Sequence, residues 1–342
     1  MAQPGRLVVL EPEGMYPDTA LEQEVLGPDV EILRGGAPHD ATLDALPDEV
    51  CARVDGLFIF RHWLRAADIA RFPRLKVVVR MGVGYDRLDL ATLAQRGIKA
   101  CNVPDYGTQE VADHAVSLAL ALRRGLFLHH DLQRATPPAP WRYVDSPLIR
   151  RMEVQGFGIL GLGRIGTAVA LRAKAFGFRV RFFDPHLPNG VDRALGIERA
   201  RTLEELLRGS DVLSVHVPDM PSTRGLVGAR ELSLLPRHAV LVNTARGTSV
   251  DLAALEAALR SGHLAGAGLD VIPEEPPPEP PPPLLAAYRA REDWTVGRLV
   301  VTPHSAFHTP EAWGDIRRKS AETMRDVLVE ERATNVIQPV LP

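Results

Sequence analysis

Cysteine is almost missing from this chain. Among 342 residues only Cys51 and Cys101 carry thiols, and neither stands in a CxxC or metal-ligand spacing. That excludes a disulfide scaffold and makes a reduced, cytoplasmic setting the simplest reading. An excess of one charge is missing too. The 40 Lys and Arg against 43 Asp and Glu leave a formal charge of -3, which argues against a nucleic-acid or anionic-membrane surface. No segment is long and apolar enough to span a bilayer, and the opening Met1-Ala2-Gln3-Pro4-Gly5-Arg6 offers no signal-peptide core before the first strand.

What is present is ordinary soluble composition, 45% hydrophobic and 24% charged, in a chain long enough for two domains with separate cores. The first hundred residues alternate. Short β-branched runs at Arg6–Leu10, Val30–Leu33, Gly56–Phe60, Lys76–Val79 and Lys99–Val103 predict strands. Helical patterns at Thr19–Leu26, Leu43–Arg53, Arg65–Phe72 and Asp89–Arg96 lie between them, so a small parallel sheet covered by helices is expected. Thr108–Leu128 reads as one long helix with more apolar surface than a single lobe covers, which predicts a homodimer packed through it. Thr136–Trp141 breaks that pattern.

From Gly156 the signal sharpens. A short apolar strand runs into Gly161-Leu162-Gly163-Arg164-Ile165-Gly166 and then a helix from about Arg164. Gly161 permits a tight turn, Gly163 lets backbone approach a pyrophosphate, and Gly166 lets helix and strand pack closely. The first-turn amides and the helix dipole then face an anion. A second strand, Arg179–Phe183, ends in Asp184, about where such a fold hydrogen-bonds an adenosine ribose. Strand, glycine turn, helix, strand and acid in that order predict a dinucleotide site. No such fingerprint occurs in the first hundred residues. Further strands are expected at Gly196–Arg199, Asp211–Val217, Ala239–Asn243, Gly266–Ile272 and Arg298–Thr302. Helices are expected at Thr202–Arg208, Ala229–Leu234 and Leu252–Ser261, the last capped by Asp251. Pro276–Pro283 reads as a stiff surface loop, and Glu311–Glu331 as a final helix returning to the first lobe.

Three of these strands end in polar residues, at the edge where an open α/β sheet holds ligands. They carry Arg246, Glu275 and His304. Alone, each has a plain explanation: a surface ion pair, a solvated acid in a proline-rich loop, a capping histidine. Together behind a dinucleotide turn they suit hydride transfer to a ketone. Arg246 can clamp a carboxylate with its planar fork and polarise the neighbouring carbonyl. His304 can deliver the proton, and Glu275 can hold the other ring nitrogen and favour the charged imidazole. Whether Glu274 or Glu275 faces His304 is left open at this point.

These motifs resemble the D-2-hydroxyacid dehydrogenase family. The stretches that carry the resemblance are GLGRIGTAVALRAKAFGFRVRFFDP, VNTARGTSVD, GAGLDV with Glu275-Pro276, TPH, Arg80–Asp86 and Cys101–Pro104, and Gly161–Arg193 reads much like its C-terminal-binding-protein branch. The resemblance implies NAD as cofactor, a small 2-oxo or 2-hydroxy acid as substrate, and a dimer. It places Arg246, Glu275 and His304 as the catalytic set. Arg80, the amides of Val83 and Gly84, and Phe307 fall at the substrate. Arg164 and Ile165 fall at the pyrophosphate, Asp184 at the ribose, and His216, Val217 and Pro218 at the adenine. Thr244, Ala245 and Asp270 meet the nicotinamide end, Arg246 and His304 lie within the cofactor's reach, and Thr223 completes the cofactor set. This chain departs from that branch at Phe307 (a tryptophan there), at Val111 (a threonine there) and in the proline-rich insertion after Glu275.

The expected architecture is therefore α/β in two lobes: a Rossmann-type doubly wound parallel sheet over residues 105–307, and a smaller flavodoxin-like substrate lobe from 1–104 and 308–342. The expected activity is NAD-linked interconversion of a 2-oxo acid and a D-2-hydroxy acid. Two alternatives stay open: an NAD(H)-sensing, corepressor-like binding protein, and a formate- or phosphite-type dehydrogenase.

Overall fold

The computed structural model describes residues 6–36 and 42–338, so the opening five residues considered above lie outside it. The chain begins with five strands, β1 Leu7–Glu11, β2 Val30–Arg34, β3 Gly56–Ile59, β4 Val77–Arg80 and β5 Lys99–Asn102. Between them run α1 Ala20–Leu26, α2 Asp48–Cys51, α3 Ala66–Ala70 and α4 Leu90–Gln95. Pro47 splits the helix expected over Leu43–Arg53, because it cannot donate the hydrogen bond a continuous helix needs there.

Next come two helices where one was expected. α5 Thr108–Arg123 stops at Arg124, Gly125 turns at φ +62, and α6 Leu126–Arg134 sets off separately. The alternation then continues through β6 Gly156–Leu160, α7 Arg164–Ala175, β7 Arg179–Phe183, α8 Val191–Leu195 and β8 Glu198–Arg199. It runs on through α9 Leu203–Arg208, β9 Val212–Val215, α10 Ala229–Leu234, β10 Ala239–Asn243 and α11 Leu252–Arg260. The tail of this stretch is β11 Leu264–Leu269, α12 Pro283–Arg289 and β12 Leu299–Val301. The helix α12 went unread because it starts on proline; Pro283 sits at its first position, where a missing N–H costs nothing. Thr202 and Asp251 cap α9 and α11 through their side chains, satisfying amides the helices leave unpaired. Last is α13 Pro310–Met324, which closes in a wider π turn over Arg325–Val329.

These elements form two units, Met1–Tyr106 with Thr309–Pro342, and Gly107–His308. The first is a parallel sheet in the order β2-β1-β3-β4-β5, on which α13 packs beside α1 and over β4. The second is a seven-stranded parallel sheet, β12-β11-β10-β9-β6-β7-β8. Strand residues alternate between its two faces. Ile159, Val212, Val240 and Val242 pack under α5 and α7, while Leu160, Leu213, Val215 and Leu241 join the cluster of Leu206, Leu232 and Leu255. Strand order reverses between β6 and β9, so the turns after these two strands flank the crevice in which such sheets bind ligands. Among the described residues no helix is long and apolar enough to cross a membrane.

The apolar face of α5 is covered within its own unit: Val111, Ala115, Leu118, Ala119 and Leu122 are buried against α7, β10 and β11. The expectation of surplus apolar surface on this helix is thus corrected. A run of exposed apolar side chains follows it, at Leu126, Trp141, Tyr143 and Val144, and α6 has no buried residue at all.

Candidate active site

At the carboxyl end of β6, Gly161 takes φ +89, and a Cβ there would press to 3.0 Å on the His216 backbone after β9. At Gly166 a Cβ would stand 2.2 Å from the Gly161 oxygen, so only glycine lets α7 start so close to the strand. At Gly163, by contrast, a Cβ would meet no heavy atom within 4 Å. Gly163 is the N-cap of α7 and supplies no side-chain cap. Among the described residues nothing accepts a hydrogen bond from the amides of Arg164, Ile165 or Gly166. These are the orphan donors of a helix start, aimed where an anion is favoured.

Asp184 lies across the same turn. Its Oδ2 accepts from the Leu162 amide at 3.0 Å and its Oδ1 from the His186 amide at 3.0 Å, which fixes the carboxylate and leaves lone pairs on both oxygens. On the β9 side, His216 Nε2 is 2.8 Å from the Ser214 hydroxyl, and burial pushes the imidazole down to about 3. Val217 and Pro218 follow it. Thr223 spends its hydroxyl on the Pro218 carbonyl at 2.6 Å, closing that turn.

The chemistry-bearing residues follow β10, β11 and β12. Asn243 clips the first turn, donating to the Arg246 carbonyl at 2.9 Å and accepting from the Ala245 amide at 3.0 Å. Gly247 lets this turn touch the next one, since a Cβ there would fall 1.8 Å from the Ile272 carbonyl carbon. Arg246 donates to the Ala245 carbonyl at 2.8 Å. Glu275 accepts from the Ile272 amide through Oε1 at 3.1 Å and faces His304 Nδ1 through Oε2 at 2.5 Å, while Glu274 is exposed. The choice between the two glutamates is thereby made. An ionised carboxylate only accepts, so His304 Nδ1 carries the hydrogen and Nε2 is left for a reacting atom. Burial alone would raise the Glu275 carboxyl. The hydrogen bond and charge of His304, the Ile272 amide and the charge of Arg246 outweigh it and hold the group below its ordinary value.

His304 itself stands at φ +50, a region that non-glycine residues seldom enter. Its amide donates to the Asp270 carbonyl at 2.7 Å and to Thr302 at 3.0 Å. Phe307 lies edge-on to its ring at 6.4 Å. Asp270, placed at the nicotinamide end by resemblance, is buried; its carboxylate accepts from Thr302, Ser305 and Ala306. Thr244 has a buried hydroxyl with no partner among the described residues. That orphan hydroxyl, the uncapped amides of α7 and the space before Gly163 together fit a dinucleotide.

In the first unit, Arg80 folds its guanidinium over its own turn. Nη1 donates to the Met81 carbonyl at 2.8 Å, Gly82 leaves room for it, and the group stacks over Phe60 at 5.6 Å. Asn102 holds the Val83 carbonyl at 2.7 Å. Among the described residues nothing accepts from the Val83 or Gly84 amides. Residues that sequence reasoning passed over are Glu13, which clamps the turn after β3, and His114 on α5.

A doubly wound parallel sheet whose switch-point turn leaves its amides open to an anion places the chain among the dinucleotide-binding α/β proteins. Within that class, the family model described as D-isomer specific 2-hydroxyacid dehydrogenase, NAD binding domain, matches residues 116–306, more than half of the chain, and the chain belongs to that family. It is 35% identical over 277 residues to D-3-phosphoglycerate dehydrogenase of Methanocaldococcus jannaschii, covering 80% of this chain and 50% of the relative. It is 34% identical over 268 residues to C-terminal-binding protein 1 of Caenorhabditis elegans, covering 78% of this chain and 36% of the relative. The chain thus spans half or less of the length of these two relatives. Among solved structures, D-lactate dehydrogenase from Aquifex aeolicus, complexed with NAD and lactic acid, superposes with a TM-score of 0.80 at 26% identity. That match covers 98% of this chain and 99% of the other.

Proposed function

We propose that this chain is an NAD-dependent dehydrogenase that interconverts a 2-oxo acid and its D-2-hydroxy acid. One observation carries the reading: a histidine paired to a carboxylate at 2.5 Å, under the charge of Arg246, on the strand-end edge that also bears the glycine turn. A protein that only sensed the dinucleotide would need the turn alone.

The α7 amides and Asp184 would hold the pyrophosphate and ribose; Asp184 would repel a 2′-phosphate and so favour NAD over NADP. The chemistry that a bound nicotinamide would supply there is hydride exchange with the substrate carbon. Every other part belongs to the chain. Arg246 grips the substrate carboxylate and draws electron density from the 2-oxo group; in the first unit, the Val83 and Gly84 amides are the proposed substrate-binding donors. His304 gives the proton on Nε2 to the carbonyl oxygen as the alcohol forms and recovers it in reverse. Glu275 keeps the ring oriented and shares the charge of the imidazolium. Arg80 and Phe307 border the substrate.

The assay is a panel of 2-oxo acids (glyoxylate, pyruvate, hydroxypyruvate, phenylpyruvate and branched or thioether chains) with NADH and NADPH. Turnover of at least one with NADH preferred is expected. No turnover while NADH still binds would transfer the protein to the sensing class.

A homodimer remains the proposed assembly, now through α6 and the exposed Trp141, Tyr143 and Val144 rather than through α5. Such apolar exposure is what a stable interface covers. Sedimentation at the mass of a single 37.4 kDa chain at micromolar concentration would refute it. A reducing, cytoplasmic setting accords with two buried, unpaired cysteines.

A further inference from the structure

His114 projects from α5 toward the strand end that carries His304. Its Nε2 lies 3.1 Å from the Thr302 hydroxyl and 3.8 Å from Asp270 Oδ1. The Thr302 hydroxyl is in turn 2.6 Å from Asp270 Oδ1. A hydroxyl has one proton, and a carboxylate can only accept. Thr302 therefore donates to Asp270 and accepts from His114, which requires the hydrogen of His114 to sit on Nε2. The direction of the whole chain of bonds follows from this one step.

The Asp270 side chain is 1% exposed, so its orientation is decided by these partners and not by water. Besides Thr302 it receives the Ser305 amide at 2.9 Å and the Ala306 amide at 3.0 Å, while its carbonyl receives the His304 amide at 2.7 Å. One aspartate thus gathers bonds from residues 302–306. Between them His304 is held at φ +50, a conformation that persists only when its surroundings over-determine it. The helix also reaches this turn at its start, where a Cβ on Gly107 would come within 3.3 Å of the Phe307 Cβ.

We propose that His114 is a positioning residue for His304. Through Thr302 it aims the Asp270 carboxylate at the Ser305 and Ala306 amides, and so keeps the His304 turn in the conformation that presents its ring to Glu275. The proposal rests on His304 being the proton donor described above.

Histidine ring 15N spectra of the cofactor-free protein test the positioning without any turnover. His114 should show the Nε2–H tautomer, and Thr302→Val should displace its signal. His114→Asn should displace the His304 signals. His114→Gln places an amide N–H near the position of Nε2 and should restore them. Kinetics with the best oxo acid of the panel and NADH give the second readout. Asn in place of His114 should lower kcat about 10-fold, inside the ~10² that a 1 Å misplacement can cost, with the oxo-acid KM and the NADH Kd nearly unchanged; Gln should recover most of it. His304 signals indifferent to His114→Asn, or Gln and Asn variants of equal kcat, would overturn the proposal. If no oxo acid turns over at all, the dehydrogenase reading fails, and the spectra still decide whether His114 sets the turn.

Discussion

Both sheets have a switch point, and the two are finished in opposite ways. In the first, strand order reverses between β1 and β3. The turn after β1 sends in Glu13, whose buried carboxylate accepts from the amides of Phe60, Arg61 and His62 after β3, at 2.7 to 3.2 Å. Glu11 does the same for Glu13, Gly14 and Met15. The chain has filled its own anion cradles. In the second sheet, the turns at the switch point carry Gly161 and Gly163, and among the described residues no side chain accepts from the Arg164, Ile165 or Gly166 amides that open α7. One architecture, then, holds a carboxylate of its own in one place and leaves room for a phosphate in the other. Fold alone does not say which sheet binds the cofactor; the residue placed in the turn does.

The comparison can be broken by giving the open turn what the closed one has. Gly163→Asp adds a carboxylate where a Cβ meets no neighbour, at an N-cap already in extended backbone. The helix should gain roughly a few tenths of a kcal/mol from its new cap, since glycine is already a fair N-cap. NADH affinity should fall roughly 10²-fold by isothermal titration, because the new charge would lie at the proposed phosphate position. A protein that is less stable yet binds NADH normally would show that the α7 amides are not the anion site. The reverse change sharpens the contrast. Glu13→Gln removes a charge that three amides share and turns an amide N–H toward donors, so urea unfolding should show a loss of about 2 kcal/mol. NADH binding should not move.

A smaller effect is expected from Glu275→Gln, read as pH dependence. The Glu275 carboxyl lies below its ordinary value of 4.5 in the fold. Its pairing with His304 therefore stabilises the protein fully above that pH and is lost only as the pH falls through the lower folded value. The stability difference between wild type and Glu275→Gln should persist at pH 5 and close in stronger acid. In catalysis, Glu275→Gln should lower kcat for oxo-acid reduction, since the carboxylate that faces His304 Nδ1 and fixes the ring is gone. A kcat equal to that of wild type would remove Glu275 from its assigned role.

What could be read from sequence alone was local. Ala229–Leu234 and Ala239–Asn243 are bounded by clear punctuation, and the glycine turn, Arg246, Glu275 and His304 each sit at a strand end that periodicity marks. Three things were hidden for physical reasons. Apolar residues continue past Gly125 into Leu126–Leu128, so the left-handed glycine that separates α5 from α6 passed for part of one helix. Pro282 and Pro283 read as polyproline although they start α12. Glu13 and His114 look like a loop acid and a helix-surface histidine, because what gives them meaning lies far along the chain; the bond from His114 to Thr302 spans 188 positions. Tertiary partners of that kind leave no pattern in a window of sequence.

The most direct test is His304→Ala, measured with NADH and whichever oxo acid the wild type reduces best. The account predicts a loss in kcat of ~10²–10⁴-fold with the NADH dissociation constant essentially unchanged, because the proposed proton donor is His304 while the proposed dinucleotide contacts are Asp184 and the α7 amides. A variant that still reduces the oxo acid at a wild-type rate would contradict it.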